Sequence, residues 1–180
     1  MRTSVLRFSK GRYSVVEILG NMDPEGRPIT DSALVRKMLW EYFPEQRDAV
    51  LALEEEEQEY ATPGDYGPVE VGAYTLASEV FVQGVLTPLL ASEPALDGEL
   101  AQRCAYFLER LLGSGRDSIH EMVSIRITDH LLGYPENWKK FRTYAGDLLL
   151  GEVRERQRYY KGPTEGGDGQ GEDGDDRSAG

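Results

Sequence analysis

From residue 30 onward the apolar positions recur with a helical period almost without interruption. Leu34, Val35, Met38, Leu39 and Tyr42 stand at i, i+1, i+4, i+5 and i+8, which gathers them on one face of a 3.6-residue helix. Thr30, Asp31 or Ser32 can cap this helix and Pro44 ends it. The same proline suits the first turn of the next helix, where its missing N–H costs little. That helix carries Val50 and Leu53 on one side and then runs into Glu54, Glu55, Glu56, Glu57 and Glu59. Four consecutive glutamates surround the axis instead of sharing a face, which predicts a solvated helix end.

After the loop at 62–68, Leu76, Ala77, Val80, Phe81 and Val85 predict a helix over 73–90, with Pro88 stopping or kinking it. The strongest amphipathic pattern starts near Glu99: Leu100, Cys104, Phe107, Leu108, Leu111 and Leu112 form one stripe, and Gly-Ser-Gly at 113–115 terminates it. Asp117 or Ser118 is expected to cap a helix through Leu132, closed by Gly133. Pro135 then opens a helix with Trp138, Phe141, Ala145, Leu148 and Leu149 inward, continuing or bending at Gly151. The expected fold is all-α, a roughly six-helix bundle of stacked helical hairpins. The first thirty residues read differently: short apolar runs on either side of Ser9, Lys10 and Gly11 suit a β-hairpin followed by a loop, while Val15, Val16, Ile18, Leu19 and Met22 would also serve one helical face.

Composition adds boundaries. With 180 residues and 39% hydrophobic content the chain suits one helical domain, 31–162, between an N-terminal segment, 1–30, and a tail, 163–180. The tail holds six glycines and six acids, too little apolar surface to offset ordering entropy, and is expected to be disordered. Those acids, against Arg177 alone, give the tail −5 of the total −12 and leave the domain itself acidic. Such a chain is poorly placed to bind DNA, RNA or anionic lipid, which are held largely by Lys and Arg, and well placed to attract a basic protein. The single cysteine, Cys104, excludes an intrachain disulfide. No stretch approaches the roughly 20 apolar residues of a membrane span and no export signal is evident, so a cytoplasmic location without membrane contact is expected.

Chemistry is sparse. His120 and His130 are ten positions apart, which on one helix separates them by about 80° around the axis and about 15 Å along it, too far for one metal ion. Phosphate-cradling, dinucleotide-binding and serine-elbow motifs are missing. The expectation is therefore a protein without catalysis, cofactor or metal. On the 117–132 helix, Ile119, Met122, Val123, Ile125, Ile127, Leu131 and Leu132 cover more than half the circumference. At 100° per residue Arg126, Asp129 and His130 fall inside that sector, while Glu121, Ser124 and Thr128 share a polar strip. Asp129 can reach Arg126 at i, i+3, so the three form either an internal clasp or the floor of a groove.

These residues also carry a resemblance. The stretch 103–133, with 42–50 and 73–86 before it, resembles small helical bacterial proteins that include proposed immunity proteins of polymorphic toxin systems. Phe107, Leu108, Glu109, Arg110 and Leu111 match their first helix, and Asp129, Leu131, Leu132 and Gly133 their second, with Asp129 where a Glu is usual. The likeness covers residues 34–150 and leaves out the first thirty residues and the tail. It implies an inhibitor that binds a basic toxin domain, with oligomeric state left open. Its contacts would come from Glu55 and Glu56 in the acidic run, from Glu109, and from Arg126, Asp129 and His130. Glu109 also reads as an ordinary solvated carboxylate opposite its helix's stripe. Two rivals stand beside this reading: a scaffold acting through its acidic tail, and an enzyme using an unrecognised site at Cys104 and a histidine.

Overall fold

A computed structural model of the chain describes residues 29–60, 70–92 and 95–161. The hairpin expected near the N-terminus and the tail lie outside the described residues. Within them the protein is all-α, with seven helices and no strand. Helix α1 is Asp31–Tyr42, and a 3₁₀ turn, Pro44–Gln46, leads into α2, Arg47–Tyr60. Then follow α3, Ala73–Leu90, α4, Gly98–Leu112, and α5, 117–133. A short α6, Pro135–Phe141, precedes α7, Asp147–Lys161.

Local chemistry sets the ends. Thr30 accepts a hydrogen bond from the Ala33 N–H, and Asp97 accepts from Glu99 and Leu100, each satisfying donors that a helix start leaves open. Gly115, at φ 69°, takes the left-handed turn between α4 and α5 that a side chain would strain. Neither Asp117 nor Ser118 caps α5 as expected; Arg116 occupies that position without a side-chain bond. Arg116 and Ser118 instead donate to Asp31, tying α5 to the start of α1.

The core lies where α1, α3, α4 and α5 converge. Phe43, Phe81 and Phe107, all fully buried, stack with ring centroids 4.7 to 5.6 Å apart. Against them pack Leu39, Leu86, Leu108, Ile119 and Met122. Helix α7 lies against α4 and α5, while α2 packs on α1 and α3. Arg103 fastens α4 to the α1–α2 corner through Glu45 and the Tyr42 carbonyl. Contrary to the expectation that no stretch approaches a membrane span, helix α3, with 18 residues at mean hydropathy 1.2, is long and apolar enough by those measures to cross one, and 56% of it is buried inside the protein.

Two stretches are π-helical: Leu76–Leu86 within α3 and Val123–Thr128 within α5. Their i→i+5 bonds advance roughly 80° per residue instead of 100°. The apolar pairs 76/77, 80/81, 85/86 and 89/90 of α3 are spaced four, five and four apart. An α-helix would carry Leu89 about 140° round from Leu76, whereas the π stretch keeps all four pairs in the core. Pro88 lies inside α3 and does not end it. In α5 the same effect retards everything after residue 123, turning Thr128 into the core at 0% exposure and Ile125 and Arg126 out to solvent.

The last helix differs from expectation too. Instead of one helix from Pro135 onward, a turn at 142–146 separates α6 from α7, and Gly151 sits within α7 without breaking it. Leu148, expected inward, is 48% exposed.

Candidate functional site

The two π stretches face each other, and between them runs an open groove of about 460 Å³. Tyr74, Ser78, Glu79 and Gln83 line it from α3, and Arg126 and His130 from α5. The Arg126 guanidinium lies 5.6 Å from the centre of the Tyr74 ring and makes no ion pair among the described residues. Burial, with Glu121 nearby, pushes the Tyr74 hydroxyl above its ordinary value, so it remains a hydrogen-bond donor. His130 is half-buried, its Nε2 3.2 Å from the Thr87 hydroxyl, and burial lowers its pKa. A hydroxyl against an imidazole is the beginning of a nucleophile–base pair, but the adjacent carboxylate, Asp129, does not turn toward the ring to orient it.

Asp129 points elsewhere, and the expected clasp with Arg126 is corrected by this geometry. Its two carboxylate oxygens accept from Arg156 Nε and Nη2 of α7, both at 2.6 Å. Tyr159 and Tyr160 place their rings 5.0 and 5.2 Å from the Arg156 guanidinium. The Arg156 hydrogen bonds outweigh the opposing effect of burial and hold the Asp129 carboxyl below its ordinary value. Asp129 therefore joins α5 to α7 and does not line the groove. The phase shift in α5 is the reason: Arg126 leaves the sector it was expected to share.

Glu109 is likewise reassigned. Half-buried, it has an internal role: its Oε1 and Oε2 accept from the N–H groups of Leu149 and Leu148, at 2.8 and 3.3 Å. A side chain of α4 thus caps α7 across 40 positions, which stabilises the helix start and explains the break after α6. A Cβ at Gly146 would fall 2.6 Å from the Glu109 carboxyl carbon, so a larger residue there would push that side chain off the helix start.

Glu55 and Glu56 are exposed on α2, as the charge pattern suggests. Their neighbour Glu54 is committed to Arg36, at 2.7 Å, and joins α2 to α1. Of the six expected contact residues, then, only Arg126 and His130 meet in one site. The others lie on α2, at the α4–α7 junction and at the α5–α7 junction.

Two further groups bear on chemistry. Cys104 is fully buried, and burial pushes its thiol up to about 12, the opposite of what a thiolate nucleophile needs. His120 lies 3.1 Å from the carboxylate of Glu152, which is 5% exposed, and serves α7. Among the described residues no three His, Cys, Asp or Glu side chains are grouped to hold a metal ion.

The sequence reading missed Tyr74, Ser78, Glu79 and Gln83. The signal was available: the polar positions 74, 78, 83 and 87 repeat at four, five and four, the same period as the apolar pairs between them. No family model, curated protein or solved structure matches this chain.

Proposed function

We propose that the chain is a non-enzymatic protein-binding domain of immunity type, which neutralises a basic toxin domain in the cytoplasm. The observation that carries this reading is the groove between the π stretches, where Arg126 stands clear of the core on Tyr74 with no ion pair among the described residues. π segments recur at functional sites, and Arg and Tyr are the side chains most enriched where binding energy concentrates. Glu79 and Gln83 beside them offer acceptors to a basic partner. The exposed Glu55 and Glu56 on α2 would steer its approach. In this reading the helices work as stacked hairpins, α4 with α5 forming one, and give the groove a rigid frame. The buried Cys104 favours binding over covalent catalysis.

The test is complex formation with toxin domains encoded beside this gene, followed by calorimetry and by rescue of toxin-expressing cells. Arg126→Ala and Tyr74→Ala should each weaken the complex by about tenfold or more. Glu55→Lys with Glu56→Lys should slow association and flatten its salt dependence. Neither a complex nor rescue would sink the proposal. Loss of rescue on deleting 163–180, with the groove variants harmless, would favour a scaffold acting through its tail.

A further inference from the structure

Helix α7 ends in three cations on one face. Arg154, Arg158 and Lys161 stand at i, i+4 and i+7, all exposed. None makes an ion pair with a described residue or has another interaction of that kind. Acids outnumber bases 32 to 20 in this chain, and Arg36, Arg103, Arg116 and Arg156 each hold a carboxylate, whereas these three cations are gathered on one exposed face. The negative end of the helix dipole accounts for Arg158 and Lys161 in the last turn, but not for Arg154 a turn earlier. Gly151 stands on the same stripe, and a Cβ there would meet nothing within 4 Å, so the face stays open beyond the cations.

We propose that this stripe is the docking surface for the chain's own acidic sequence, residues 163–180. Charge complementarity is direct: six carboxylates and one arginine follow three cations that have no ion pair among the described residues. The sequence begins two positions beyond Lys161, so the segment reaches the stripe at an effective concentration of order millimolar, which a separate acidic protein would have to match in solution. Reach is ample, since eighteen residues can span about 60 Å and the stripe runs only about 10 Å from Arg154 to Lys161. Each exposed pair is individually weak and screened by salt, so docking is expected at low ionic strength and not at high. Docking of this kind leaves the α3–α5 groove untouched and stands or falls separately from the binding function proposed above.

The test uses the full chain with Gly171→Cys carrying a nitroxide label; buried Cys104, its thiol pushed up to about 12, stays unmodified. Amide signals of residues 150–158 should be broadened at 50 mM salt by at least twice as much as at 500 mM. The excess should vanish in the Arg154→Glu, Arg158→Glu, Lys161→Glu variant, and in a chain whose six tail acids are replaced by Asn and Gln. Broadening that is the same at both salt concentrations and in both variants would reflect mere tethering and overturn the proposal. So would a poly-glutamate peptide that shifts α7 signals without reducing the broadening, because an occupied stripe must release the tail first.

Discussion

Helices α4 and α5 are neighbours in the chain, joined by the Gly115 turn and packed on the same core, yet they answer to different rules. In α4 the bonds are i→i+4 throughout, and the 3.6-residue stripe places Cys104, Phe107, Leu108 and Leu111 in the core as the pattern predicts. In α5 the buried Ile119, Val123, Ile127 and Leu131 are spaced by four each time. That spacing drifts about 40° per turn on an α-helix, and the π stretch takes up part of the drift. The apolar line is kept straight at the cost of the 100° rule, so polar residues change places: Thr128 goes in and Arg126 comes out. Helical periodicity identifies a helix reliably, but it assigns faces only while the bonding ladder stays regular.

The comparison can be broken hardest in α4. Phe107→Ala removes the ring at the centre of the Phe43–Phe81–Phe107 cluster and should lower stability by about 3–5 kcal/mol in chemical denaturation. Glu109→Ala leaves the core alone but uncaps α7, with an expected loss of about 1–2 kcal/mol. A solvated Glu109 would instead give a change within the error of the measurement. Thr128→Val tests the phase of α5 directly. The Thr128 hydroxyl is fully buried with no hydrogen-bond partner among the described residues, so replacing it by a methyl group should raise stability by about 1 kcal/mol. Were Thr128 on a polar strip, the substitution would be neutral.

A smaller effect distinguishes Asp129 by pH. Its carboxyl is held below the ordinary range in the folded protein, so its contribution is complete above the unfolded value near 4 and is lost as pH falls through the folded one. The stability difference between the wild-type chain and Asp129→Asn should therefore be constant from about pH 5 upward and close at lower pH. A gap that persists below pH 3 would mean that Asp129 acts through packing alone. His130, lowered by burial, should likewise cost stability as pH drops below about 6.5, an effect absent in His130→Gln. Smallest of all, Arg126→Ala should stay within about 0.5 kcal/mol of wild type in stability while weakening the proposed complex. A large loss of stability would return Arg126 to the core.

Much was legible beforehand. The helical class, the Thr30 cap, the entry at Pro44, the Gly-Ser-Gly turn and the core stripe of α4 all follow from residues within one or two turns of each other. Even the π period was written in the apolar pairs of α3 and the four-residue spacing of α5, although a 3.6-residue template passes over both. The groove was half visible: Arg126 and His130 stood out as polar residues near an apolar sector, while their opposite wall on α3 looked like ordinary helix surface.

The sequence by itself determined where helices form and which residues are apolar enough to be buried, because both depend on short-range spacing and on burial free energy that each side chain carries with it. Tertiary structure decided the pairings. Asp129 faces Arg156 at a distance of 27 positions, Glu109 caps a helix 40 positions away, and Asp31 meets Arg116 across 85. A carboxylate with several cations in reach has no local reason to choose among them. The choice follows from how the helices pack and, in α5, from the phase that the π stretch imposes on every residue after it.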